Sequence, residues 1–333
     1  MSTPAATPNQ PRPGLEKWVK RLSFIAMVGM FIVLMMGSTV TNTGSGEGCG
    51  RSWPLCQGKF IPEYAVETAI EFSHRIVTAV EGVLILAVSI GAILIRRGNR
   101  QVKVLVAVLI GTLILQSGLG AAAVMWPQSP TIMASHFGIS MTCFAAIFLL
   151  TSYLYEPQSL DGDAASRKAP PPLWFRRAVW TSLVLSVIVA YIGAYMRHSG
   201  NELGCSTWPL CNGKVFPGFT GSEGIAFSHR FFALSLMILI FGLAFWARSF
   251  KADYPQLAQV LVVASVTIVL QALVGAFVVE TLLDLWATLM HAALMAILFV
   301  MICDACRMVW SARPRPTEQV SNTSRPSAVP AGD

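Results

Sequence analysis

Charged side chains are scarce in this sequence: Asp, Glu, Lys and Arg make up only 12% of its 333 residues. Soluble globular proteins carry about twice that share, so an ordinary water-soluble domain is excluded. Apolar residues make up 54% of the chain and are concentrated in long blocks. Residues 22–41, for example, contain no charge and as a helix would cross the roughly 30 Å hydrocarbon core of a bilayer.

Eight such blocks predict an all-α integral membrane protein with eight transmembrane helices. The predicted spans are residues 22–41, 68–95, 102–125, 132–154, 175–196, 224–247, 257–279 and 286–306. The low apolar content of both ends favours disordered tails. The predicted divisions are an N-terminal tail at 1–21, a first four-helix half at 22–157, a linker at 158–174, a second four-helix half at 175–309 and a C-terminal tail at 310–333.

The net charge of +7 needs no nucleic-acid partner, because its distribution explains it. With eight spans, most of the 24 Lys and Arg residues fall in the tails and in the loops on the same side as the tails. The positive-inside rule therefore predicts cytoplasmic N and C termini for a multi-pass protein of a bacterial plasma membrane. Two long loops, at residues 42–67 and 197–223, would then face outward.

Each of these outer loops contains two cysteines. Cys49 and Cys56 lie in the first loop, and Cys205 and Cys211 lie in the second. The extracytoplasmic side is oxidising, so a disulfide within each loop is expected. Such a bond suits either a structural staple or a pair that exchanges electrons or thiols with a partner, and the sequence leaves both open.

The second half of the chain repeats the first. Both outer loops contain Trp-Pro-Leu-Cys and are followed by Phe-Ser-His-Arg, and Trp53 and Trp208 begin a constant offset of 155 positions. A fixed offset over about 90 residues indicates duplication of a four-helix unit. Because each unit has an even number of spans, the two bundles face the same way and should be related by a pseudo-twofold axis along the membrane normal.

Histidine is rare, with five copies, and four of them belong to the repeat. Each lies a few residues inside the outer end of an even-numbered helix, so all four should lie at a similar depth. Ionisable residues within a membrane are costly and usually functional, and two facing imidazoles can fill both axial positions of a haem iron. The predicted ligands are His74 and His136 in the first half and His229 and His291 in the second. The fifth, His198, is interpreted as a surface residue.

Other repeated residues suit the surroundings of a haem. Arg75 and Arg230 directly follow a histidine and are candidates for pairing with the haem propionates. Gln116 and Gln271 are candidates for hydrogen bonding at the haem edge. Small residues near them, including Gly120 and Gly275, would let a macrocycle approach the backbone.

The halves also differ in their carboxylates. Glu71 lies three residues before His74, whereas its counterpart in the second half is Ala226. We therefore hypothesise that the first half is the reactive site, with Glu71 as its catalytic carboxylate, and that the second half carries a permanent haem for electron transfer. Glu81, whose counterpart is Leu236, could relay protons or hold a neighbouring helix, and its role stays open.

Taken together, these residues resemble the haem A synthase family. The resemblance covers residues 20–307 and rests on the duplicated four-helix unit, the cysteine loops, the Glu71-to-Arg75 segment, the Leu115-to-Ala121 segment and the repeated histidines. It implies an enzyme that oxidises the C8 methyl group of haem O to a formyl group, giving haem A for terminal oxidases. It further implies haem O as substrate in the first half, haem b as cofactor in the second half, and Glu71 as the catalytic residue.

The resemblance also indicates partners. Haem O synthase would supply the substrate, an electron-transfer partner would exchange electrons, and membrane lipid would surround the farnesyl tail of haem O. A homo-oligomer is left open. The alternative functions are a non-catalytic di-haem transmembrane cytochrome b and a thiol-oxidising membrane protein working through the loop cysteines. The cytochrome would not need the Glu71 asymmetry, and the thiol enzyme would not need the histidines.

Overall fold

A computed structural model describes residues 13–126, 129–156 and 170–311, and these residues form eight long helices. Each is long and apolar enough to cross a membrane. This confirms the predicted fold class, and most helices extend the predicted spans by a few residues. The helices are α1 Pro13–Asn42, α2 Val66–Ile95, α3 Arg100–Met125, α4 Pro130–Tyr155, α5 Leu173–His198, α6 Gly221–Ala247, α7 Pro255–Glu280 and α8 Leu285–Ser311.

The first helix begins earlier than predicted. Residues 13–21, assigned to a disordered tail, are the first turns of α1. The charges that end the apolar block there are paired: the Glu16 carboxylate accepts from Lys20 one turn away at 2.9 Å and from Arg96 of α2 at 3.0 Å. Paired charges at one end of a span let the helix continue beyond the apolar block. At the other boundaries, residues 173 and 174 of the predicted linker begin α5, and residues 310 and 311 of the predicted C-terminal tail end α8. The rest of both predicted tails and residues 158–169 of the predicted linker lie outside the described residues.

The helix contacts show the duplication directly. Within the first half, α1 contacts α2, α2 contacts α3, α3 contacts α4 and α4 contacts α1; α5 to α8 repeat this closed ring. Between the halves, α4 contacts α5, α8 contacts α1, and α4 contacts α8. Exchanging the halves maps this set of interface contacts onto itself, as a twofold relation requires.

Each half has its own apolar core. Met30, Ile85 and Leu150 are fully buried in the first, and Phe175, Ile240 and Leu298 in the second. Many large apolar side chains on the outside of the helices are exposed, including Val83 and Ile238. An apolar surface of this kind is suited to contact with lipid chains and would be unfavourable in water.

The two outer loops share one local structure. Cys56 forms an isolated antiparallel bridge with Lys59, and Cys211 does the same with Lys214. The chain turns inside each bridge through two residues of positive φ, an amide residue and then a glycine: Gln57 and Gly58 in one loop, Asn212 and Gly213 in the other. Glycine and asparagine-like residues adopt this conformation at least cost, so the repeated sequence produces a repeated turn.

Candidate functional site

The four repeated histidines lie at matched positions on α2, α4, α6 and α8, and all four are half-buried. In the second half the His229 and His291 ring centroids are 6.5 Å apart, with the ring planes at 65°. A histidine nitrogen lies about 2 Å from a bound metal ion, so this separation accommodates one ion between the rings. In the first half, His74 and His136 are close enough for their charges to interact.

The ring nitrogens of these histidines fit the axial ligands of a haem. Nδ1 of His74, His136 and His291 is buried with no hydrogen-bond partner among the described residues. His229 instead donates from Nδ1 to the Val189 carbonyl at 3.2 Å, which leaves its Nε2 available to a metal. Buried polar atoms are normally paired, so these unpartnered ring nitrogens are open to a further group, either a metal ion or a hydrogen-bonding partner.

Each histidine ring packs against a glycine of the preceding helix. A Cβ atom at Gly193 would lie 2.8 Å from Cε1 of His229, and at Gly275 it would lie 3.0 Å from Cε1 of His291. The corresponding distances in the first half are 3.3 Å for Gly37 and His74 and 3.4 Å for Gly120 and His136. The four glycines therefore give each imidazole its space on the neighbouring helix.

This finding corrects one interpretation and adds two residues. The sequence suggested that Gly120 and Gly275 admit a macrocycle, whereas their bare Cα atoms face the histidine rings themselves. Gly37 and Gly193 were missed. They occupy equivalent positions in the two halves, but they are 156 residues apart, as are Cys49 and Cys205. The first loop has one extra residue before Trp53, so the offset of 155 applies only from that position onward. A search allowing that insertion would have found them.

The two repeated glutamines lie beside the second ring of each pair. The Gln271 amide nitrogen is 3.2 Å from Nε2 of His291. Gln116 is 8% exposed, and its amide oxygen has no partner in the described part of the chain, as is also true of Gln271. Both glutamines thus have a free buried acceptor among the described residues, which a bound group could fill, and their role at a haem edge stays a prediction.

The two arginines bind the outer loops. Nη1 of Arg75 donates to the carbonyls of Ser52 and Leu55 at 2.8 and 3.0 Å. Arg230 donates to the carbonyls of Thr207 and Cys205 at 2.8 and 2.9 Å. The guanidinium groups therefore hold each loop close to the histidine pair. If either arginine also bound a haem propionate, it would do so while bonded to these loop carbonyls.

Glu71 is buried and fully bonded. It is 4% exposed, so it is not an interfacial carboxylate in water. Its Oε1 pairs with Nη2 of Arg75 at 2.5 Å, and its Oε2 accepts from the backbone N–H of Cys49 at 2.8 Å. The carboxylate thus joins α2 to the first cysteine loop, one turn from His74. Ala226 leaves the second half without this link.

Both predicted disulfides are present, between Cys49 and Cys56 and between Cys205 and Cys211. All four half-cystines are buried, at 0–2% exposure. The Cys303–Cys306 pair on α8 is not bonded. His198, interpreted as a surface residue, is half-buried at the end of α5 and lies within electrostatic range of His136.

The fold and the site define a duplicated membrane protein of eight helices with one histidine pair per half, suited to holding haem. The comparison with known families agrees with this class. The chain belongs to the COX15-CtaA family, described as cytochrome oxidase assembly protein, whose sequence model matches residues 61–303.

Individual relatives match over nearly their whole length. The protein named "Heme A synthase" of Alkalihalophilus pseudofirmus is 38% identical over 286 residues, which cover 86% of this chain and 95% of the relative. The protein of the same name from Shouchella clausii is 37% identical over 304 residues, covering 89% and 98%. One from Macrococcus caseolyticus is 38% identical over 293 residues.

Proposed function

We propose that this protein is a haem A synthase, which oxidises the C8 methyl group of haem O to a formyl group. The product, haem A, serves terminal oxidases, in agreement with a family described by cytochrome oxidase assembly. One observation carries the proposal: near full-length similarity to proteins named heme A synthase in a chain whose halves each contain a histidine pair.

The substrate belongs in the first half and a resident haem b in the second. The assignment rests on the carboxylates: Glu71 lies beside His74 in the first half, whereas its counterpart in the second half is Ala226. The second half can hold a haem but has no such carboxylate to accept protons. In that half the Val189 carbonyl orients the His229 ring, as suits the ligand of a permanent cofactor.

Glu71 is the catalytic carboxylate in this proposal. The haem iron supplies the redox chemistry when haem is bound. Oxidation of a methyl group also releases protons, and a positioned carboxylate can accept them. Glu71 lies one turn from His74 on the same face of α2. Arg75 and the Cys49 N–H fix both of its oxygens in place.

The loops give the chemistry a covered site. Each is closed by a disulfide and tied down by an arginine, directly above a histidine pair. A lid of this kind keeps water from the reacting carbon. The basic tails and linker favour a cytoplasmic location for the opposite end, so the haem sites would lie toward the extracytoplasmic side.

Co-expression with a haem O synthase tests the function. Membranes of a host that makes haem O and haem b, but no haem A, should contain haem A only when this protein is present. Extracted haems are identified by chromatography and mass spectrometry, with an empty vector as control. Purified protein that holds haem b alone and forms no haem A would be the electron-carrying cytochrome instead, and colourless protein would favour the thiol enzyme.

A further inference from the structure

Two residues lie beneath each histidine pair, and they differ between the halves. Glu81 and Cys143 follow His74 and His136 by seven residues, on α2 and α4. Seven residues are two helical turns, so both lie on the histidine face about 10 Å deeper in the membrane. We refer to this position as the floor of each site. In the second half the floor residues are Leu236 and Leu298.

The first floor is polar and incompletely bonded. Glu81 is 3% exposed, and its Oε1 has no hydrogen-bond partner among the described residues. Its carboxyl group rests on Gly29 of α1, where any Cβ atom would collide with it. Cys143 is fully buried and lies within electrostatic range of Glu81. A buried carboxyl group without a partner is costly, so this floor is built to meet a further hydrogen-bonding group.

The second floor is apolar at every equivalent position. Leu236 and Leu298 are each 1% exposed and belong to the second core. Leu185 packs against that core at the position equivalent to Gly29, given the 156-residue offset that applies to the first helix of each half. The changes match in size and polarity: the small Gly29 makes room for the Glu81 carboxyl group, whereas Leu185 packs against the apolar core that contains Leu236 and Leu298.

The two kinds of haem differ at the edge that would face this floor. A haem held with its propionates toward the outer loop turns its opposite edge inward, and two helical turns are comparable with the reach from iron to that edge. In haem b this edge carries vinyl groups, which are apolar. In haem O it carries the hydroxyethylfarnesyl group, whose hydroxyl both donates and accepts a hydrogen bond.

We propose that Glu81 recognises the hydroxyl of the haem O side chain, and that the two floors decide which haem each half takes. Haem b in the first half would leave the Glu81 carboxyl group unpaired. The hydroxyl of haem O in the second half would be buried against leucine without a partner. Sites that hydrogen-bond a substrate hydroxyl reject analogues without it strongly, because their own polar groups are then left unpaired. This inference rests on the proposed function.

The test uses two variants of similar size that differ in hydrogen bonding. Glu81→Met keeps the side-chain length without polar atoms, and Glu81→Gln keeps a hydrogen-bonding group. Each full-length protein is purified from membranes that contain both haem O and haem b, and its bound haems are counted per polypeptide. We expect Glu81→Met to lower the content of haem O plus haem A by roughly 10-fold or more. Haem b should stay, and Glu81→Gln should retain most of the haem O.

The haem b of the second half reports whether each variant is folded. Unchanged haem O content in Glu81→Met would overturn the proposal; if haem A formation alone then slowed, Glu81 would be a proton-transfer residue. Loss of both haems from both variants would also overturn it, because Glu81 would then be needed for the fold. Wild-type protein that holds haem b and never haem O or haem A would instead reject the proposed function.

Discussion

The two halves of this protein share a frame for holding haem and differ in the side chains around it. In both, a histidine pair rests on glycines and lies beneath a disulfide-closed loop that an arginine ties down. The first half has a buried carboxylate one turn above the pair, at Glu71, and another two turns below it, at Glu81, where the second half has Ala226 and Leu236. The two halves thus share the histidines, glycines, arginines and disulfides and differ in their buried carboxylates.

The attachment of the loops shows the same contrast. The first loop is joined to its helix through Glu71, which bonds the Cys49 N–H. In the second loop the Arg230 guanidinium reaches the Cys205 carbonyl directly. Any movement of the first loop would therefore disturb the carboxylate that we assign to catalysis. The carboxylate bonded to the second loop is Glu223, which lies in the first turn of α6 and meets Asn212 and Lys214.

The largest effect is expected when one haem-binding histidine is removed from either half, and this change also distinguishes the two sites. His229→Ala should abolish haem b binding and, with it, haem A formation, because the iron loses an axial ligand. His74→Ala should lose haem O while haem b stays. A pyridine haemochrome spectrum with mass spectrometry of the extracted haems measures both. If the two variants lost the same haem, the assignment of one haem to each half would be wrong.

The next effect concerns the carboxylate found in only one half. Glu71→Ala should lower the rate of haem A formation at least about 100-fold with both haems still bound, as loss of a general base does. Glu71→Gln serves as the control, because it can still accept from the Cys49 N–H. Similar losses in both variants place the effect on the carboxylate, and full activity in either rejects the catalytic assignment.

Replacing the glycines that pack against the histidine rings by alanine should give graded effects on haem binding. Gly193→Ala brings a Cβ atom to 2.8 Å from the His229 ring, whereas Gly120→Ala brings one to only 3.4 Å from His136. We expect the first to weaken haem b binding roughly 10-fold, as loss of ligand orientation does, and the second to act less on haem O. Gly242→Ala on α6 is the matched control, since nothing lies within 4 Å of its Cβ position. Haem titration should show no change there, and the reverse order would contradict the packing argument.

The smallest difference should come from the disulfides. Cys56→Ser and Cys211→Ser each remove one short cross-link and should cost about 2 kcal/mol of stability. Only the first should lower activity per folded protein, because only its loop holds Glu71. Thermal unfolding and haem A formation are measured on both. Equal activity per folded molecule would mean that the first loop is a staple and no more.

Much of the architecture could be predicted from the sequence because the membrane constrains it. A span must be long, apolar and helical, since no water is present to satisfy its backbone. The eight helices and both disulfides followed from block lengths and cysteine positions. The start of α1 did not, because Lys20 and Arg21 end the apolar block. The helix nevertheless continues, with Glu16 paired to Arg96, eighty residues away.

Part of the site could also be read from the sequence. The repeat singled out the four histidines and the asymmetry at Glu71 without any structure. It could not show that Arg75 bonds the loop carbonyls or that Gly37 and Gly193 support the rings. Those facts depend on which helices are neighbours and on how they are rotated, and an offset between repeats contains neither.

By itself, then, the sequence determined the number of spans, the duplication and the identity of the repeated histidines. Hydropathy and repetition can both be read from the order of residues along the chain. Only the tertiary structure decided what each buried group meets. Glu71 is fully bonded while Glu81 is not, although both are acidic residues on the same helix. The physical reason is that hydrogen bonding depends on atoms within about 3 Å, and helix packing brings those atoms together from distant parts of the chain.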